Sequence, residues 1–272
     1  MSKKLRLDTL LVERGLLETR EKAKRTIMAG LVFSEQQRLD KPGQKVDENI
    51  ELTVKGKAVP YVSRGGLKLE KAISCFSLEL KDKIMVDIGS STGGFTDCGL
   101  QHGIKLSYCI DVGYNQLDWR LRNHDQVVVM ERTNFRYVTR EDLSEGLPEI
   151  ATIDVSFISL KLILPVLADL LIPGGDVAAL IKPQFEAGRD QVGKKGIIRD
   201  SGIHEEVLCN ILSFAEDLGF ETKGLTYSPI TGGDGNIEFL AHWRFSGLGA
   251  EKMSESKIKD VVTEAHTQLQ KK

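Results

Sequence analysis

Cysteine is scarce in this chain: Cys75, Cys98, Cys109 and Cys209 are the four among 272 residues, and no two stand at C-x-x-C spacing. With no histidine at ligand spacing beside them, neither a zinc site nor a disulfide framework is expected; buried free thiols are. Long apolar runs are missing too. The longest, around Leu162 to Ile172, is broken by Pro165 and Asp169 and falls short of the about 20 residues that a membrane span needs. The basic start Met1-Ser2-Lys3-Lys4-Leu5-Arg6 leads into no apolar segment, so nothing directs export and a cytoplasmic protein is expected. The length allows one large domain plus a small one.

A large charge of one sign is also absent, but the net −2 hides an asymmetry. Residues 1 to 57 carry 13 Lys+Arg against 9 Asp+Glu, a net of +4, which leaves −6 for the rest. A small basic module on an acidic body suits contact with a polyanion. Within it, Leu7, Leu10 and Leu11 recur at helical spacing up to Gly15, and a second helix from Thr19 turns Ala23 and Ile27 inward before Gly30. That second helix carries Arg20, Lys22, Lys24 and Arg25. Leu31-Val32-Phe33, a turn at Lys41-Pro42-Gly43 and a strand over Asn49 to Val54 complete the module.

What the chain does have is an apolar strand, Ile84 to Ile88, that contains Asp87 and opens into Gly89-Ser90-Ser91-Thr92-Gly93-Gly94-Phe95-Thr96. Glycines there permit a tight turn and a close approach of ligand to main chain before a helix begins. Asp111 ends the next apolar run, where a carboxylate can grip a ribose diol. A dinucleotide fingerprint would need glycine at Ser91, so the wider turn favours S-adenosylmethionine over a nicotinamide cofactor. Asp87, Gly89, Ser90, Gly94, Phe95 and Asp111 are the candidate cofactor residues, with Asn134 reaching the adenine end.

Further apolar runs over 126–130, 150–155, 176–181 and 237–245 alternate with helical segments, which implies a doubly wound, Rossmann-like α/β sheet. Such folds keep their chemistry at the carboxyl ends of the strands. Two of those ends carry charge, Asp154 after Ile150-Ala151-Thr152-Ile153 and Lys182 after Ala178-Ala179-Leu180-Ile181, and a charge leaving a buried strand needs a partner. Glu238 in an apolar run and Lys68 on a helix whose stripe is Leu69, Ala72, Ile73 and Phe76 read, taken singly, as solvated residues. Gly188, Gly193 and Gly196 with Arg189, Lys194 and Lys195 make the stretch after Lys182 a candidate substrate loop.

Arg6-Leu7-Asp8, Thr19-Arg20-Glu21-Lys22-Ala23, Gly30-Leu31-Val32 and Lys41-Pro42-Gly43 resemble the RNA-binding domain of ribosomal protein S4. Lys68, Asp154, Lys182 and Glu238 resemble, in order and context, the K-D-K-E tetrad of the FtsJ-like ribose 2'-O-methyltransferases. Together with Ser63-Arg64-Gly65-Gly66-Leu67-Lys68-Leu69, Asp154-Val155-Ser156-Phe157-Ile158-Ser159-Leu160, Lys182-Pro183-Gln184-Phe185-Glu186 and Gly196-Ile197-Ile198-Arg199-Asp200, they make the whole resemble the TlyA family of hemolysin A or ribosomal RNA methyltransferases. The resemblance implies an S4-like α+β domain over 1–57, a linker over 58–62, a methyltransferase domain over 63–246 and a helical tail over 247–272. It implies S-adenosylmethionine-dependent 2'-O-methylation of cytidine in ribosomal RNA, of the small and possibly the large subunit. Ribosomal RNA or subunits are the expected partner, and no membrane or metal is expected. Arg6, Arg20, Lys22, Lys24 and Lys41 would meet RNA. Lys182 would contact the 2'-oxygen as donor or base, held by Asp154 and Glu238. The rival readings are a membrane-active hemolysin and an RNA-binding protein without activity.

Overall fold

In the computed structural model the described residues are 3–28, 30–35, 37–55, 59–188, 190–232, 235–248 and 253–269. The chain separates into two units, 1–67 and 68–272. The division falls inside the helix Gly65–Phe76; of the expected linker over 58–62, residue 58 lies outside the described residues, as do 56 and 57 before it.

The first unit runs β1 (Lys4–Arg6), α1 (Leu7–Glu13), α2 (Arg20–Met28), β2 (Val32–Ser34), β3 (Gln37–Arg38), β4 (Lys45–Asp47) and β5 (Thr53–Val54). Leu7, Leu10 and Leu11 of α1 and Ala23 and Ile27 of α2 are buried in one cluster with Val32 and Val46. The strand expected over Asn49 to Val54 is shorter than its apolar residues suggest. Asp47 turns the chain there, accepting from Asn49 N at 2.9 Å through its carboxylate and from Ile50 N at 3.1 Å through its carbonyl, so pairing with β2 begins only at Thr53.

Next come α3 (Gly65–Phe76), β6 (Ile84–Ile88), α4 (Gly94–Gln101), β7 (Leu106–Asp111), α5 (Trp119–Arg122), β8 (Val127–Glu131), β9 (Ile150–Ile153), α6 (Leu164–Leu170), β10 (Asp176–Ile181), α7 (Pro183–Glu186), α8 (Ser201–Asp217), β11 (Phe220–Tyr227), β12 (Phe239–Phe245) and α9 (Glu255–Leu269). Seven strands form one sheet in the order β11-β12-β10-β9-β6-β7-β8. The five from β10 to β8 are parallel, whereas β12 runs antiparallel to both β10 and β11. The sheet is therefore mixed. Strand β11 was not apparent in the sequence, because Glu221 and Lys223 make it polar and a bulge at Lys223 interrupts it.

Side chains alternate across the sheet with period two. Val86, Ile88, Ile110, Ile153, Ala179 and Phe239 face a core shared with Leu164 and Leu167 of α6, Leu208 and Ile211 of α8, and Ile258 and Val262 of α9. On the opposite face Asp87 meets Thr96 of α4, and Phe76 of α3 stacks on His242 with ring centroids 5.4 Å apart. The C-terminal helix thus belongs to the core of the second unit. Ile258 is 2% exposed, and Ile258→Ala should lower the free energy of unfolding by roughly 2–5 kcal/mol, read from urea denaturation of the whole chain.

Candidate active site

The chain proceeds outward from β6 to β8, then returns to lay β9 and β10 on the other side of β6. The reversal opens a crevice at the carboxyl ends of β6 and β9, the place where open α/β sheets hold ligands. A cavity of about 440 Å³ lies there. Gly89, Ser91, Asp111, Gly113, Gln116, Asp154 and Phe157 are among its lining residues.

Asp111 is the last residue of β7, and its carboxylate accepts from Ser91 N at 2.8 Å and Gly113 N at 2.7 Å. Two oxygens so fixed keep lone pairs for a ligand's hydroxyls. Gly89 has φ +81, and a Cβ there would stand 2.7 Å from the carbonyl oxygen of Asp154. The turn after β6 therefore requires glycine for both conformation and space. Of the residues expected to hold the cofactor, Gly89, Asp111 and Asn134 are among those lining the cavity, and Asp87, Ser90, Gly94 and Phe95 are not.

Asp87 is the clearest departure. It is the fourth of five residues in β6, still within the sheet, and its carboxylate accepts from Thr96 N at 3.1 Å, Thr96 Oγ1 at 2.8 Å and Thr152 Oγ1 at 3.0 Å. It ties α4 and β9 to the strand and does not reach the ligand space. Phe95 is a buried residue of α4, and Gly94 opens that helix.

Beside the cavity the four residues expected to be catalytic converge. Lys68 Nζ lies 2.7 Å from Glu238 Oε2 and 3.2 Å from Asp154 Oδ2, while Lys182 Nζ lies 2.5 Å from Asp154 Oδ1 and donates to Ser156 Oγ at 3.1 Å. The order is Glu238, Lys68, Asp154, Lys182, Ser156. Glu238 therefore holds Lys68, not Lys182 as the sequence suggested. It precedes β12, with its backbone carbonyl accepting from Ser228 N at 2.7 Å. Burial opposes the charge on Lys68, but Asp154 and Glu238 outweigh it and raise its pKa above the ordinary lysine value. Burial likewise opposes ionisation of Asp154, yet Lys68 and Lys182 hold it below the usual carboxylate range. Both are charged at neutral pH.

Sequence reasoning missed Ser156, Gln116 and Phe157. Each follows a strand-end acid within five residues, so reading the loop after the acid, not the acid alone, would have found them. Phe157 is 91% exposed and has φ +63, a conformation that costs a bulky residue roughly 1–3 kcal/mol. In the candidate substrate loop, Arg189 and the Lys194 side chain lie outside the described residues; the segment is held by Asn236, whose amide accepts from Ile198 N at 3.0 Å and donates to Gly196 O at 2.9 Å.

In the first unit, Arg6 and Arg20 both bind the buried Asp8, at 2.9 and 3.1 Å. Lys22 pairs with Glu18 and Lys24 with Glu21, and Lys41 is exposed.

The FtsJ-like methyltransferase profile matches residues 61–245. The chain belongs to the FtsJ-like methyltransferase family. An S4 domain profile matches residues 5–51 ahead of it. The chain is 64% identical to "Putative rRNA methyltransferase YqxC" of Bacillus subtilis over 100% of its own length and 97% of the relative's. It is 38% identical to "16S/23S rRNA (cytidine-2'-O)-methyltransferase TlyA" of Mycobacterium tuberculosis, covering 88% of this chain and 90% of that one. Among solved structures, a "Putative hemolysin from Streptococcus thermophilus" superposes with a TM-score of 0.81 at 55% identity, covering 100% and 98% of the two chains. Among the described residues no helix is long and apolar enough to cross a membrane.

Burial pushes Asp87 up to about 7, its Thr96 and Thr152 hydrogen bonds opposing the shift and the Asp154 charge adding to it. An unfolded aspartate ionises near 3.9, so between about pH 4 and 7 the unfolded state binds fewer protons. Stability then falls as pH rises through that window, by at most about 4 kcal/mol from this group. Asp87→Asn should flatten that part of the melting-temperature profile relative to the parent; parallel profiles would refute the assignment.

Proposed function

We propose that this chain transfers a methyl group from S-adenosylmethionine to the ribose 2'-hydroxyl of a cytidine in ribosomal RNA. The observation that carries the reading is the amine of Lys182, held by Asp154 and Ser156 where both also line the cavity. An ammonium has three N–H donors. Two are engaged, which leaves the third for a substrate oxygen.

The cavity fits the cofactor. It has the size of small-molecule sites and the expected make-up of apolar walls with few polar groups: Ile110, Phe135, Ile158 and Ile163 can face a planar base, while Asp111 presents a carboxylate to a ribose diol. S-adenosylmethionine, when bound, supplies an electrophilic methyl on a positively charged sulfur. Lys182 then donates to the 2'-oxygen and stabilises the negative charge that develops as that oxygen takes the methyl and releases its proton to solvent water. Asp154 keeps that amine aimed, and Lys68 keeps Asp154 from meeting Glu238 as a like charge. Holding oxygen and methyl in line contributes roughly 7–11 kcal/mol of barrier lowering in well-oriented systems.

Ribosomal RNA as substrate is supported by the S4 domain match and by the relatives' names. Arg6, Arg20, Lys22, Lys24 and Lys41 supply cations for its phosphates. The exposed ring of Phe157 at the cavity mouth offers an unstacked base a platform.

Transfer of labelled methyl to ribosomal subunits lacking the mark, mapped by primer extension sensitive to 2'-O-methylation, tests this. The parent should mark one ribose, and Lys182→Ala should lose transfer by about 10²–10⁴-fold while binding cofactor as before. Asp111→Ala should instead weaken cofactor binding by at least about tenfold. A parent that binds the cofactor but marks neither subunit would overturn the ribosomal assignment.

A further inference from the structure

We propose that Glu186 is a positioning residue for methyl transfer, fastening the loop after β9 to the loop after β10 so that Ser156 and Phe157 keep their place beside Lys182. The proposal rests on the methyltransferase reading above.

Glu186 ends α7, four residues past Lys182. Its Oε2 accepts from Ser159 Oγ at 2.5 Å and its Oε1 from Leu160 N at 2.8 Å. The neighbouring Phe185 ring packs against Phe157 with centroids 5.0 Å apart and planes at 51°. The loop from Asp154 to Leu160 is therefore tied to the segment from Lys182 to Glu186 at both ends. Lys182 holds the near end through Asp154 and Ser156. At the far end Glu186 does the same work.

At the start of the short 3-10 helix Leu160–Leu162, Glu186 takes the Leu160 N–H, a donor that the capping side chain there does not use. Ser159 is that capping residue and accepts from Lys161 N at 3.1 Å. Glu186 reaches across from another strand's loop. It forms no ion pair among the described residues, and burial raises its pKa above the ordinary glutamate value, against the Ser159 and Leu160 hydrogen bonds and the charge of Lys161. What those contacts restrain is specific. Between the two tied ends stands Phe157 at φ +63, a conformation that relaxes once its surroundings no longer impose it. Glu186→Ala leaves the near end in place and frees the far one. Glu186→Gln keeps an oxygen for Leu160 N and an amide that can donate to Ser159 Oγ.

Hydrogen exchange of the full chain and methyl transfer to unmodified subunits test the proposal together. In Glu186→Ala, exchange over residues 157–162 should quicken about tenfold or more. The turnover number should fall about 10–100-fold, with cofactor affinity unchanged. Glu186→Gln should restore most of both, and Ser159→Ala should fall between. Because Glu186 acts through the loop, the double variant Phe157→Ala with Glu186→Ala should be no slower than the slower single variant. Unchanged exchange in Glu186→Ala, or single losses that multiply in the double variant, would overturn the proposal. A parent without transfer on any subunit defeats the methyltransferase reading and the catalytic half of this one, and the exchange result still decides whether the clamp exists.

Discussion

Asp154 bridges two ammonium groups at the end of a strand whose four residues are all buried, and most of the second unit's chemistry depends on that bridge. Its two oxygens are used separately, one for Lys68 and one for Lys182. Its backbone N–H donates to Ile88 O at 3.0 Å, and its carbonyl lies where any side chain at position 89 would have to go. The turn after β6 and the amine of Lys182 are thus fixed by one residue. Removing a single member of such a buried charge network typically costs about 3–5 kcal/mol, because the partner is left buried and unpaired. Four groups from α3, the end of β9, the end of β10 and the approach to β12 are held in line by alternating charge.

The same alternation bears on the role proposed for Lys182. Lys68 stays charged because two carboxylates face it, and it takes one oxygen of Asp154. Asp154 in turn stays ionised because two lysines face it. A carboxylate so engaged is a poor proton acceptor, so the residues around Lys182 favour its use as a fixed donor over a relay of protons through Asp154. Two cations against two carboxylates leave the group near neutral, which suits the proposed meeting of a cationic cofactor with an anionic RNA.

How much of this was legible in the sequence follows from burial. Strands β6, β7, β9 and β10 announce themselves because both faces are covered, so their residues form continuous apolar runs. β11 does not, being a polar edge strand with a bulge. Asp154 and Lys182 stand out as charges at the ends of such runs. Lys68 and Glu238 carry no such signal; only the family resemblance singled them out, and only the structure shows that they pair with each other. Asp87 and Asp111 present the same pattern in sequence yet part company in space. Asp111 is the final residue of its strand and clears the sheet, while Asp87 sits one place earlier in β6 and is caught by Thr96 and Thr152. A shift of a single residue separates a carboxylate that lines the cavity from one that braces the sheet.

The cations of the first unit divide by a similar measure. Arg6 and Arg20 converge on Asp8, whose side chain is fully buried and whose carboxyl the two arginines hold far below the usual range, Arg6 contributing most. Releasing either would strip a buried carboxylate of a partner, so these two act first on the fold. Lys22 with Glu18 and Lys24 with Glu21 are helix-surface pairs at i,i+4 and i,i+3 spacing, and such pairs contribute only about 0–1 kcal/mol. A phosphate can displace the glutamates at little cost. In the RNA role proposed for this unit, the lysines of α2 are therefore the exchangeable contacts, and the arginines present to RNA the single positive charge that remains once Asp8 is neutralised.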